Sequence, residues 1–259
     1  MIMKKLFCMI ALAGMALTAW SQTPLRLSTY NGTAVERYDG QQCDVTVDRY
    51  LVNGWNTVSL PFAMSEQEID DALGQGVQLE RLVGVSQHGT DITLYFQDCK
   101  GEGIQANKPY ILYYPGETGT KTLRVNAYVA NKESKVTFTT GAGVEVTMSG
   151  AALKTNGKGL YGILVVNNSD ANFTHIDKDN VFYATRCYIN IPGEQQYNLT
   201  ACHFAPSEVT SITDIAAEND IVDVYNVMGM RVAHGIQAGE VNNLEPNIYI
   251  VNGRKVLVK

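Results

Sequence analysis

Cys43-Asp-Val-Thr-Val-Asp48 places Cys43, Val45 and Val47 on one side of an extended chain and Asp44, Thr46 and Asp48 on the other. Strand side chains alternate between faces, so apolar residues at every second position mark a strand with one dry face. The same period recurs in Asp91-Ile-Thr-Leu-Tyr-Phe96, Lys135-Val-Thr-Phe-Thr139 and Val144-Glu-Val-Thr-Met148. Pro109-Tyr-Ile-Leu-Tyr-Tyr114 and Leu160-Tyr-Gly-Ile-Leu-Val-Val166 are apolar almost throughout, as central strands are. Gly, Asn and Asp punctuate these runs. Many short strands at this spacing predict an all-β chain whose body is an antiparallel β-sandwich or jelly-roll-like fold.

One short helix interrupts the pattern. Ser65-Glu-Gln-Glu68 is a capping box, Ile69, Ala72 and Leu73 follow as the apolar side, and Gly74 can close the last turn. The acids Glu66, Glu68, Asp70 and Asp71 suit the positive end of the helix dipole, which accounts for them without catalysis. Just before it, Asn53-Gly-Trp-Asn-Thr-Val-Ser-Leu-Pro-Phe62 turns Val58, Leu60 and Phe62 inward, with Pro61 ending the strand. Trp55 in this stretch reads either as a core or edge anchor or as a platform on which a sugar stacks.

At the other end of the chain, Val224-Tyr-Asn-Val-Met-Gly-Met-Arg-Val232 reads as two strands around a tight turn at Met228-Gly229. Ile248-Tyr-Ile-Val-Asn-Gly-Arg-Lys-Val256 reads as a closing hairpin around Asn252-Gly253. The N-terminus carries Lys4 and Lys5 ahead of an apolar run, Leu6 to Ala19, then Ala19-Trp20-Ser21. That order predicts an export signal cut between Ser21 and Gln22. Its run is shorter than the roughly 20 residues a membrane-spanning helix needs. Domains are therefore expected at 1–21 (signal), 22–206 (β-rich body), 207–220 (polar linker) and 221–259 (C-terminal β domain).

The formal net charge is −6, and loss of Lys4 and Lys5 with the signal takes it to −8. Such a chain lacks the basic face that nucleic acid or an anionic membrane requires. Cys43, Cys99, Cys187 and Cys202 survive cleavage, an even number in an exported chain. A hairpin turning between Glu194 and Gln195 would set Cys187 opposite Cys202, so that pair is the disulfide candidate, against two buried thiols as the alternative.

Two stretches carry family resemblances. The order Trp55-Asn-Thr-Val-Ser-Leu-Pro-Phe62, Lys108-Pro-Tyr110 and Arg186-Cys-Tyr188 resembles an uncharacterised β-rich module common in large exported bacterial surface proteins. That resemblance covers about residues 45–204 and implies a folded extracellular module without known catalytic residues. Residues 212–259 look like the C-terminal sorting domain of type IX (Por) secretion, with Tyr225, Gly229, Val232, Ile248, Tyr249, Ile250, Gly253 and Lys255 as its motif positions. The family usually has Gly where this chain has Asn247. The resemblance implies a small Ig-like β-sandwich, the secretion machinery of the outer membrane as partner, and attachment to surface lipopolysaccharide once the domain is clipped. It places the protein outside a Gram-negative cell, secreted or on the cell surface.

Catalytic templates are missing. Gly84-Val-Ser-Gln-His88 has His where a nucleophile elbow needs Gly, and no H-E-x-x-H occurs. Asp177-Lys-Asp-Asn180 begins like a calcium loop without its later Gly and Glu, leaving Asp177 and Asp179 as weak metal candidates. Cys99 and His88 are a conceivable nucleophile pair on neighbouring strands. No cofactor is expected. Two functions stay open: a non-enzymatic surface module for adhesion, matrix building or glycan or partner binding, and a small secreted hydrolase, glycosidase-like, whose carboxylates meet only in the fold.

Overall fold

The structure, a computed structural model, describes residues 23–28, 34–163, 173–204, 209–210, 215–227, 229–245 and 247–258. The expected signal and its Ser21/Gln22 junction, residues 164–166 of the expected Leu160–Val166 strand, and Met228 of the expected turn lie outside them. Strands make up 53% of the described residues and helices 10%, so the fold is all-β and sandwich-like.

Strands are numbered along the chain. The central sheet has five, in the order β15 (Asn198–Phe204), β5 (Asp91–Asp98), β4 (Gln78–His88), β6 (Tyr110–Tyr114) and β3 (Gly54–Val58). Alternation along β6 sends Tyr110, Leu112 and Tyr114 into one core and Ile111 into another, so the sheet is apolar on both faces. One face meets a second five-stranded sheet, β12 (Phe173–His175), β11 (Tyr161–Ile163), β14 (Cys187–Asn190), β9 (Glu145–Gly150) and β8 (Lys135–Thr139). Val85, Leu94, Phe96, Met148 and Ile189 share this core. β10 (Thr155–Asn156) pairs with β13 (Val181–Phe182) beside it.

The opposite face is covered in two parts. Over its β6 and β3 half lies a three-stranded sheet, β1 (Thr23–Ser28), β2 (Gln42–Leu51) and β7 (Gly119–Tyr128). Cys43, Val45 and Val47 of β2 point into that core, as the alternation requires. A four-residue helix α1 (Ala34–Arg37) adds Val35. Helix α2 (Glu66–Leu73) closes the same core with Ile69. Its capping box is present: Ser65 Oγ accepts from the Glu68 amide, and Glu68 Oε2 accepts from the Ser65 amide at 2.7 Å. Over the β4 and β5 half lies the C-terminal sheet, β16 (Val209–Thr210), β20 (Arg254–Val258), β19 (Asn247–Val251), β17 (Ile221–Asn226) and β18 (Arg231–Gln237).

Three features differ from the sequence expectations. β1 with β2, β15 with β5, and β16 with β20 are parallel, because each is brought in by a long connection rather than a hairpin. The segment expected as a linker, 207–220, contributes β16 to the C-terminal sheet and packs Ile215 and Ala216 on its core. The hairpin expected over 186–204 does not form: β14 and β15 belong to different layers, joined through Pro192-Gly193, so Cys187 and Cys202 are not opposed. Neither is in a disulfide, and Cys187 donates to Val58 O instead. Backbone pairing within each layer outweighs the local turn signal here.

Burial pushes the Cys99 and Cys187 thiols up to about 12 and raises the Tyr95, Tyr110, Tyr161, Tyr188 and Tyr249 phenols. These groups hold their protons more tightly folded than unfolded, so their contribution is intact below about pH 9, the ordinary thiol value, and is lost toward pH 12. Burial, followed by Arg186, lowers Arg49 to about 9, and in this alkaline range that group works in the opposite direction. The melting temperature is expected to fall steadily between pH 9 and about 11.5 by calorimetry; a flat profile would contradict the buried thiols.

Candidate functional site

Strand β4 carries an extra residue. Leu82 pairs with Phe96 and Gly84 with Tyr95, so Val83 is a β-bulge. The bulge lets Leu82 and Val85 both point into the core between the five-stranded sheets. Val83 turns instead toward the C-terminal sheet, where it packs with Tyr95 and Ile248, flanked by Cys202, Val227 and Leu257. Alternation along β19 explains the division of labour: Tyr249 and Val251 enter the C-terminal core with Val222, Val224, Val256 and Val258, whereas Ile248 enters the body. The other face of this sheet is covered by a 3-10 segment, Ala238–Asn243, through Ala238 and Val241. Among the described residues the C-terminal unit is thus one sheet whose second layer is the body.

Asn247 fastens the two. Its Nδ2 donates to Val85 O at 2.6 Å, and its Oδ1 accepts from the Ile248 amide at 2.8 Å. Only glycine fits beneath it, since a Cβ on Gly84 would stand 2.7 Å from Asn247 Oδ1 and 3.1 Å from the Ile248 nitrogen. The residue that departs from the sorting-domain pattern is the one that bonds to the body.

A groove of about 490 Å³ runs along this junction. Ser86 and Gln87 form one wall, Thr139 to Ala142 of the β8–β9 turn a second, and Met230, Arg231, Val232, Glu245 and Tyr249 the third. The body walls are braced. Thr140 Oγ1 donates to Gln87 Oε1 at 2.7 Å and accepts from the Val144 amide, while Gln87 Nε2 donates to Gly89 O. On the third wall Arg231 lies 3.6 Å from Asp223, which also receives the Gly235 amide and His234. Those partners hold the Asp223 carboxyl below its usual value, the Gly235 amide most strongly. Met230 and Val232 are large apolar side chains left exposed beside the groove. Hydroxyl, amide and guanidinium groups next to apolar surface can bind a polar ligand by hydrogen bonds and contact. No nucleophile stands beside a base among these wall residues, and Glu245 is their one carboxylate.

The motif positions of the tail serve four tasks. Val232 and Tyr249 line the groove, with Tyr249 Oη donating to Glu245 O at 2.9 Å. Ile248 docks on the body, while Tyr225, Ile250 and Lys255 sit in the strand ladder. Gly229 (φ 80°) lies in the β17–β18 turn, and Asn252 (φ 50°) with Gly253 (φ 75°) turns β19 into β20.

Other candidates fall elsewhere. Trp55 is buried, stacked on His203 at 4.4 Å between centroids and edge-on to Tyr113 at 5.4 Å, so it is a core anchor and not an open sugar platform. His203 Nδ1 lies 2.6 Å from a buried Glu80 carboxylate, a contact with no sequence signal because 123 residues separate the two. His88 pairs with Asp91 at one end of the β4–β5 hairpin, and Cys99 follows its other end, bonded to Leu79 O, so these two do not form a dyad. Asp177 contacts His175 and Gln196, whereas Asp179 accepts from Asn156, and no group of three metal-ligating side chains forms among the described residues. Gly84 was readable as a close approach, being a lone glycine inside an apolar strand.

No family profile, curated protein or solved structure matches this chain.

Because Cys202 lies partly buried at the junction, its alkylation rate reports undocking. Asn247→Ala leaves Val85 O unpaired, at about 1–3 kcal/mol, and is expected to speed Cys202 alkylation about tenfold or more, with Gly84→Val doing the same through its clash. Peptide mapping after timed labelling measures this. Without reductant, the denatured chain is expected to label at Cys43, Cys99, Cys187 and Cys202 alike.

Proposed function

We propose that this chain is a non-enzymatic, exported surface module that binds a glycan in the groove between its body and its C-terminal sheet. The groove itself carries the reading: it is large enough for a small ligand and lined by braced hydrogen-bonding groups beside exposed apolar side chains. Export is proposed through the N-terminal signal and the type IX-like tail, on the order and spacing of the tail motif. Its partner in transit would be the outer-membrane secretion machinery. The docking through Val83, Gly84 and Asn247 supports a tail that stays with the body as one wall of the site, in place of one clipped for lipopolysaccharide attachment. A protein ligand in the same groove is the alternative occupant. The glycosidase alternative needs two carboxylates facing one ligand, and the groove walls supply Glu245 alone.

Gly141 lines the groove and has open space around its Cβ position, so Gly141→Trp places a bulky side chain at the groove. On a glycan array the full exported chain is expected to bind a defined subset of glycans. The Trp variant is expected to lose at least tenfold in affinity while its melting temperature stays within about 2 °C. Unchanged binding by the variant would remove the groove from the function. Release of free sugar from a bound glycan would favour the hydrolase.

A further inference from the structure

A second concavity, of about 260 Å³, opens on the body where β6 stops pairing with β4. The last pair between them is Glu80 with Ile111. The residue ahead of β6 is Pro109, which has no N–H to continue the ladder beside Leu82, so the two strands part. Leu82, Pro109, Tyr110 and Val136 give the hollow an apolar floor, and the Lys108-Pro109-Tyr110 stretch noted in the sequence lies wholly within its wall. Its charge runs against that of the chain. Arg81, Lys108 and Lys135 surround it with Glu102 as the single acid, and Glu102 is already paired with Arg81. Arg81 also reaches Gln97, so its guanidinium is held in place. Lys108 and Lys135 are exposed and their ammonium groups have no protein partner among the described residues, nor has the Gln105 side-chain amide. A chain of net charge −6 thus concentrates two uncompensated cations over one apolar-floored hollow.

We propose that this hollow binds an acidic sugar residue, with the carboxylate or sulfate on Lys108 and Lys135, the ring over Leu82, Pro109 and Val136, and the hydroxyls on Gln105 and Ser134. Convergent ammonium groups in a concave wall focus positive potential on a bound anion, and charge-assisted hydrogen bonds are about twice as strong as neutral ones. The apolar floor adds what a bare anion cannot use. This site is separate from the junction groove, and each can fail without the other.

Calorimetric titration of the full chain with glucuronate, N-acetylglucosamine 6-sulfate, glucose and inorganic sulfate tests it. Both acidic sugars, or one of them, are expected to bind, with glucose and inorganic sulfate at least tenfold weaker; which acidic sugar binds assigns the group. The exposed pair Lys108→Gln/Lys135→Gln is expected to weaken binding at least tenfold. Lys158→Gln/Lys178→Gln, the same charge change elsewhere, is expected to leave it unchanged. The proposal is overturned if neither acidic sugar binds, if glucose or sulfate matches them, or if the two double variants behave alike.

Discussion

Arg49 holds the layers of the body together. It stands on β2 of the three-stranded sheet, yet the residue is 1% exposed and its guanidinium reaches into the protein. Nη2 donates to Thr57 O on β3 of the central sheet, and Nη1 donates to Thr185 Oγ1 at 2.8 Å, two residues before β14. Thr57 Oγ1 in turn accepts from the Cys187 amide, so one side chain and one threonine tie three sheets. Buried cations ordinarily pair with carboxylates, and here backbone and hydroxyl oxygens do that work. Thr185 accepts a left-handed backbone (φ 70°) to bring its hydroxyl to the arginine. Arg49 Nε has no partner among the described residues, so the cation is not fully satisfied, while burial and then the Arg186 charge lower its proton affinity.

Around that bolt the central sheet can be covered on both faces, and this sets where ligands can bind. One five-stranded sheet covers one face. The other face is shared by two covers, and the junction groove opens beside the one supplied by the C-terminal sheet. The basic hollow opens where a proline interrupts the central ladder. Both concavities therefore arise from imperfect coverage or pairing of one sheet. The Val83 bulge and the Gly84 notch are the local devices that make the C-terminal sheet part of the body.

The class of fold, the capped helix and both C-terminal turns were legible in the sequence because each depends on residues within a few positions of one another. Alternation of Cys43, Val45 and Val47, the Ser65–Glu68 box and Asn252-Gly253 are short-range signals of that kind. Pairing between distant strands leaves no such signal. The expected Cys187–Cys202 hairpin shows the cost: a turn between Glu194 and Gln195 is a local expectation, yet the strands on either side of it enter different layers. Trp55 illustrates the same limit, since only the arrival of His203 from the far edge of the sheet decides that its face is covered.

The sequence by itself determined an all-β chain, one helix with its start and stop, an acidic surface and a tail whose last strands turn at Asn252-Gly253. These follow from side-chain alternation, capping and turn chemistry, which act along the chain. Tertiary structure alone decided that Arg49 bridges three layers, that Asn247 bonds to Val85 across 162 residues, and that Lys108 and Lys135 face one hollow. Those relations depend on which apolar face covers which. That choice is made by burial of whole surfaces, and burial is blind to distance along the chain.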